Sequence, residues 1–370
     1  MESNTRIFDE FADRELTDIV RENLYWGDIF YNEEFDLDDI RTAIELDSRP
    51  VFLEGLISRL NFLGHNYNLS DTNTILAEIK QRYKDRLGFS CPRTVQEWIK
   101  GTTPGVTERR NNYDLCLALD MDLQETAEFF LKHYLTVPFN YKDTTDAIFF
   151  YGLYHKKPYS VISGLLDAAK SFQPRESSQT ETLQIGRHIT EIKNDDEFLE
   201  YLSQHCFNNE QQYQVARMSI KELVQKLPFS STSELHSEIM GFNYQSVKRQ
   251  KWTKNTELPR RFTESLPTDG VFAKILEGER ESYETLRKTL IILKLFTYYP
   301  FDSEEGLSEQ NIRDRLYDFY DETNLELAEC GFAQLYMRHP FDWLIIFCAN
   351  SPDPIELFRE LSSKRYLPPL

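Results

Sequence analysis

Ile75-Leu-Ala-Glu-Ile-Lys-Gln-Arg-Tyr-Lys-Asp-Arg-Leu-Gly88 runs directly into Phe89-Ser-Cys-Pro-Arg-Thr-Val-Gln-Glu-Trp-Ile-Lys-Gly101. Ile75, Ile79, Tyr83 and Leu87 recur every four residues, which aligns them on one face of a helix. Gly88 can adopt the left-handed conformation that ends such a helix. Ser90 is expected as the next N-cap, and Pro92 suits a first helical turn, where its missing N–H is not needed. Val95, Trp98 and Ile99 then point one way, while Arg93, Thr94, Gln96, Glu97 and Lys100 line the other side. Gly101 and Pro104 close this second helix. The stretch therefore predicts two helices joined by a tight turn.

The same period extends outward in both directions. Upstream, Phe52, Leu56, Leu60 and Phe62 predict a helix within 51–68. Downstream, helices are expected over Arg110–Leu119, Leu123–Tyr134, Thr144–Tyr154 and Tyr159–Ala169. Beyond these come Thr182–Ile192, Asp195–Cys206, Gln212–Leu227, Ser282–Tyr299, Asn324–Tyr336, Pro340–Ala349 and a last helix from Pro354 to Leu361. Strand alternation is scarce, and 14 glycines are few for 370 residues. The expected fold class is all-α. With 26 Phe and 20 Tyr, cores built from rings are expected.

A chain of this length accommodates two or three domains. The polar run Gln173-Pro-Arg-Glu-Ser-Ser-Gln-Thr-Glu-Thr182 lacks large apolar residues and reads as a linker. The expected division is an acidic helical segment over 1–72, a helix-turn-helix domain with a helical extension over 73–172, the linker 173–182, and a C-terminal helical domain over 183–370.

The formal charge of −19 argues against a protein coated by nucleic acid. Its distribution matters more than its sum. Residues 1–50 hold fifteen acidic and five basic side chains, and could serve as a solvated cap or as an inhibitory arm over a basic face. Between Glu78 and Arg110 there are instead eight basic residues against four acidic ones, a local reversal of sign. A second basic cluster, Lys248 to Arg261 around Trp252, reads as a charged surface loop, with a nucleic-acid surface on which the ring stacks as the alternative.

The run of Thr94, Val95, Trp98 and Gly101, followed by Leu117-Ala-Leu-Asp-Met-Asp122, resembles the helix-turn-helix of the phage-repressor (Xre-like) family over about residues 75–135. In that family a Thr and a β-branched residue open the recognition helix, a Trp follows, and a Gly ends it. The resemblance implies a module that docks on double-stranded DNA. Separately, Arg287-Lys288-Thr-Leu-Ile-Ile-Leu, Cys330-Gly-Phe-Ala-Gln-Leu-Tyr336 and His339-Pro-Phe-Asp-Trp-Leu344 resemble an uncharacterised all-helical family of Clostridia-type bacteria. That likeness implies a bacterial setting, such as a mobile element, but no chemistry.

The expected function is a cytoplasmic DNA-binding regulator of transcription. Arg93 and Lys100 would meet phosphate or guanine, Gln96 would read adenine, and Thr94, Arg109 and Arg110 complete the contact set. Residues 183–370 would form a homodimer or bind another protein. The alternative is a non-enzymatic adaptor, for example in phage defence, with a vestigial helix-turn-helix. No phosphate-binding glycine loop, His-Glu-x-x-His, paired Cys motif or Gly-x-Ser-x-Gly occurs, so no enzyme, metal or cofactor is expected. The five cysteines are scattered and read as reduced thiols. No apolar run is long enough to span a membrane and no signal peptide is visible.

Overall fold

The computed structural model describes residues 52–102, 104, 109–172, 182–229, 234–235, 267, 269–279, 281–299, 309–336 and 339–362. Every regular element among them is helical; one isolated parallel bridge joins Asp143 to Phe207. No helix among the described residues is long and apolar enough to cross a membrane. The described residues within 50–215 and 328–333 form one compact unit, and those within 216–327 and 334–370 form another. The acidic segment up to residue 50, the linker apart from Thr182, and the basic cluster at 248–261 lie outside the described residues.

The first unit opens with α1 (Phe52–Phe62), α2 (Thr72–Arg82) and α3 (Arg93–Ile99). It continues through α4 (Arg109–Ala118), α5 (Leu123–Phe129), α6 (Thr144–Tyr154) and α7 (Tyr159–Ala169). Helices α8 (Thr182–Glu191) and α9 (Asp195–His205) belong to the same unit, although the sequence places them beyond the linker. Both α2 and α5 finish in a wide π turn, at Tyr83–Leu87 and Phe130–Tyr134. Helix α5 starts on a capping box: Asp122 accepts from the Glu125 N–H, and the Glu125 carboxylate accepts from the Asp122 N–H.

Aromatic rings fill this core. Tyr113 lies 4.5 Å from Phe130 and 4.7 Å from Phe149 by ring centroids, and Tyr151 stacks on Phe198 at 3.8 Å. Phe62 is the exception to the expected stripe. It is 76% exposed, because α1 ends there and turns its last residue outward, with the Arg59 guanidinium 5.1 Å from the ring.

The second unit takes in much of α10 (Asn209–Lys226), then α11 (Asp269–Glu277), α12 (Tyr283–Tyr298), α13 (Glu309–Glu329), α14 (Pro340–Ala349) and α15 (Pro354–Ser362). The sequence places a helix at Asn324–Tyr336, but the observed helix stops at Glu329. Gly331 then adopts φ 74°, which a helix cannot continue through. Helix α12 buries nearly its whole circumference, including Arg287 and Lys288, so its charges must find partners inside. Arg287 does so against Asp342 at 2.8 and 2.7 Å.

Candidate nucleic-acid interface

Helices α2 and α3 form the expected pair of helices around a turn. Gly88 sits at φ 79°, in the left-handed region that terminates the first of them. The N-cap of α3 is Pro92 itself, at φ −57° and ψ 146°, and Ser90 makes no cap. The end of α3 is a Schellman motif: the Gly101 N–H donates to Trp98 O at 3.1 Å, and the Thr102 N–H donates to Glu97 O at 3.0 Å. Gly101 takes φ 108° to allow it.

The inner face of α3 is closed. Val95, Trp98 and Ile99 are all buried, and Trp98 meets Phe52 edge-on at 6.0 Å and Tyr134 at 6.2 Å. Truncating a buried Trp of this kind to Ala costs about 3–5 kcal/mol. The outer face is open: Arg93 and Lys100 are exposed, and Thr94, Gln96 and Glu97 are half-buried.

The six expected contact residues do not stay together. Arg93 is exposed and makes no ion pair with a described residue. Lys100 pairs with Glu97 one turn earlier at 3.1 Å, an exposed contact that a phosphate can displace. Gln96 donates through Nε2 to Cys91 O at 2.8 Å, so the amide expected to read adenine is tied to its own turn. Arg110 is half-buried, 3.6 Å from Asp114, and hydrogen-bonds Tyr159.

Arg109 must be removed from the set. It is buried, with Nε 2.7 Å from Asp146 Oδ1, a second contact to Asp146 Oδ2, and a hydrogen bond to Val137 O at 3.0 Å. The sequence shows two adjacent arginines and gives no sign that one is a core residue, because Asp146 lies 37 positions away.

Other cations are paired with carboxylates as well, Arg86 while remaining exposed. Arg82 is held by Glu78 at 2.7 Å, and Arg86 by Asp120 at 2.6 Å. Arg59 reaches the carbonyls just past α4, at Leu119 O (3.0 Å) and Asp120 O (2.6 Å), while pairing with Glu125. Two lysines absent from the expected set stay available: Lys80 and Lys84 are exposed and make no ion pair with a described residue. Lys80 lies by the turn, where its charge partly offsets the burial that pushes the Cys91 thiol up to about 11. Their i, i+4 spacing on the outer side of α2 is the signal that would have found them.

Asp114, in α4, is pushed up to about 6 by burial, against the opposing pull of Arg110 and the Tyr159 hydroxyl. No group of three or more His, Cys, Asp or Glu side chains among the described residues is arranged to hold a metal. Comparison of the chain with known protein families, with curated proteins and with solved structures found no match.

Proposed function

We propose that the chain is a DNA-binding regulatory protein that meets duplex DNA through the outer side of α3 and the adjoining lysines of α2. One observation carries the reading: α3 is buried on one face only, and Arg93 and Lys100 stand exposed on the other, with Lys80 and Lys84 exposed on α2. In a chain of net charge −19 such cations are poorly placed for solubility alone and well placed for a polyanion. Arg93, Lys80 and Lys84 would act as phosphate contacts, and Thr94 is the short polar side chain nearest the start of the helix.

Gln96, turned back on Cys91 O, favours the other reading, an interaction adaptor with a vestigial helix-turn-helix. The two readings differ in salt dependence. Each phosphate contact adds about 0.9 to the slope of log K against log salt. Arg93→Ala with Lys100→Ala in the full-length chain should therefore flatten the slope for random duplex DNA by roughly two. Failure of the wild-type chain to bind duplex DNA at low salt sinks the proposal, as does an unchanged slope in a folded double variant.

A further inference from the structure

The frame built by α3 to α7 recurs, element for element, in α11 to α15, which lie in the second unit apart from residues 328–333. Helix α3 ends on Gly101 at φ 108° in the Schellman motif described above. Helix α11 ends on Gly278 at φ 100°, where the Gly278 N–H donates to Ile275 O at 3.2 Å and the Glu279 N–H donates to Lys274 O at 2.8 Å. Eight positions after Gly101 comes Arg109, and nine after Gly278 comes Arg287, both buried.

Each arginine grips one aspartate with two nitrogens, Asp146 in α6 and Asp342 in α14. Each also reaches a loop carbonyl, Val137 O at 3.0 Å in one case and Gln334 O at 2.9 Å in the other. Each aspartate accepts the N–H of the residue six positions earlier, Asn140 at 2.8 Å and Tyr336 at 2.9 Å. Each stands three residues after an N-cap whose side chain accepts its own N–H, Asp143 and His339. A left-handed residue, Leu135 or Gly331, comes eleven positions before each aspartate. A further helix follows each aspartate helix, α7 and α15 respectively. One buried Arg–Asp clasp is a common device. The arginine precedes its aspartate by 37 positions in one case and 55 in the other, but the same spacings just before each aspartate, in the same order of helices, make a repeat.

The contact helices have diverged. Aligned on their terminal glycines, the inner residues Val95 and Trp98 of α3 correspond to Phe272 and Ile275 of α11, all buried. On the outer side Arg93 corresponds to Gly270, Glu97 to Lys274 and Lys100 to Glu277. Lys274, the one cation left on α11, pairs with Glu279 at 3.6 Å. The residues that fix the backbone are kept, and those that would face a polyanion are exchanged.

We propose that residues 269–362 are a second, diverged copy of the module formed by residues 93–169, in which α11 has the place of a contact helix without its charge, so that one chain holds duplex DNA through a single copy. The clause on DNA rests on the proposed function; the duplication does not. The test uses the full-length chain and random duplex DNA across a salt series. Lys274→Ala should leave affinity within twofold and the slope unchanged. The graft Gly270→Arg, Val271→Thr, Ala273→Gln and Glu277→Lys should steepen the slope by about two and raise the number of short duplexes bound per chain from one to two. Should the graft not fold, Glu277→Lys alone should steepen the slope by about one. A Lys274→Ala effect as large as that of Arg93→Ala with Lys100→Ala overturns the single-copy assignment. Where the wild-type chain binds duplex DNA, a folded graft or Glu277→Lys chain with unchanged slope and stoichiometry overturns the duplication. A wild-type chain that ignores DNA beside a graft that binds it keeps the duplication and discards the proposed function.

Discussion

Replacing Asp146 by Asn removes one charge from a site that water does not reach. Asp146 is 0% exposed and Arg109 only 6%. The carboxylate accepts from Arg109 Nε at 2.7 Å and from the Asn140 N–H at 2.8 Å. The amide that replaces it can keep the Asn140 bond through its oxygen but presents an NH₂ to a guanidinium that only donates. The guanidinium is then buried without a counter-charge, which costs about 3–5 kcal/mol when one partner of a buried pair is lost. Against a total stability of roughly 5–15 kcal/mol for a domain, that is a large fraction. Urea unfolding followed by circular dichroism measures it as a fall in midpoint at constant slope. Replacing both partners, Arg109→Met with Asp146→Leu, should recover most of the loss, because no charge is then stranded. The recovery stays incomplete by about 1–3 kcal/mol, since the Asn140 N–H loses its acceptor. A cost below about 1 kcal/mol for Asp146→Asn would mean that the pair is solvent-screened, and would return Arg109 to the exposed cations.

Burial and the neighbouring Asp146 carboxylate push Asp143 up to about 7, against the lesser pulls of the Asp146 N–H, Arg109 and Gln212. A raised carboxylate stabilises the fold fully below its unfolded value near 4, and that contribution is lost as pH rises through about 7. Urea midpoints should therefore fall between these limits and level off above them, and Asp143→Asn should flatten the profile. Gly101→Ala forces a side chain into φ 108°, where the added Cβ meets nothing within 4 Å. The cost is conformational, on the order of 1 kcal/mol, read as a lower melting temperature with unaltered helix content. All five cysteines are buried, and burial pushes the thiols of Cys91, Cys116, Cys206 and Cys348 above the ordinary value. Ellman's reagent at pH 8 should react with the native chain far more slowly than with the chain in denaturant.

Local order was legible in the residues themselves. The four-residue period of Ile75, Ile79, Tyr83 and Leu87 placed α2, and the left-handed glycines at 88 and 101 marked both of its neighbouring stops. Thr144–Tyr154 and Tyr159–Ala169 were bounded to the residue, because Asp143 as N-cap and Pro158 before the next helix are local chemistry. The inner face of α3 followed from spacing alone. The fate of each charge did not. Arg109 and Arg110 are neighbours with the same side chain, yet Arg109 is a core residue and Arg110 is half-exposed. Only the approach of Asp146, from a helix that begins 35 residues later, separates them. Gln96 likewise points where Cys91 O, not its sequence, directs it.

The repeat shows the same division more sharply. Its determinants are a few residues each — a glycine, an arginine, an N-cap and an aspartate — spread over dozens of positions whose other residues differ between copies. Period and caps act over one or two turns of helix, so the chain by itself marked most helices and apolar faces of the first unit, but it gave no sign of α11 or of where α13 starts. Pairing of buried charges acts across the sequence and is settled only when helices pack, so tertiary structure alone decided which cations are spent inside the protein and which remain to meet a partner.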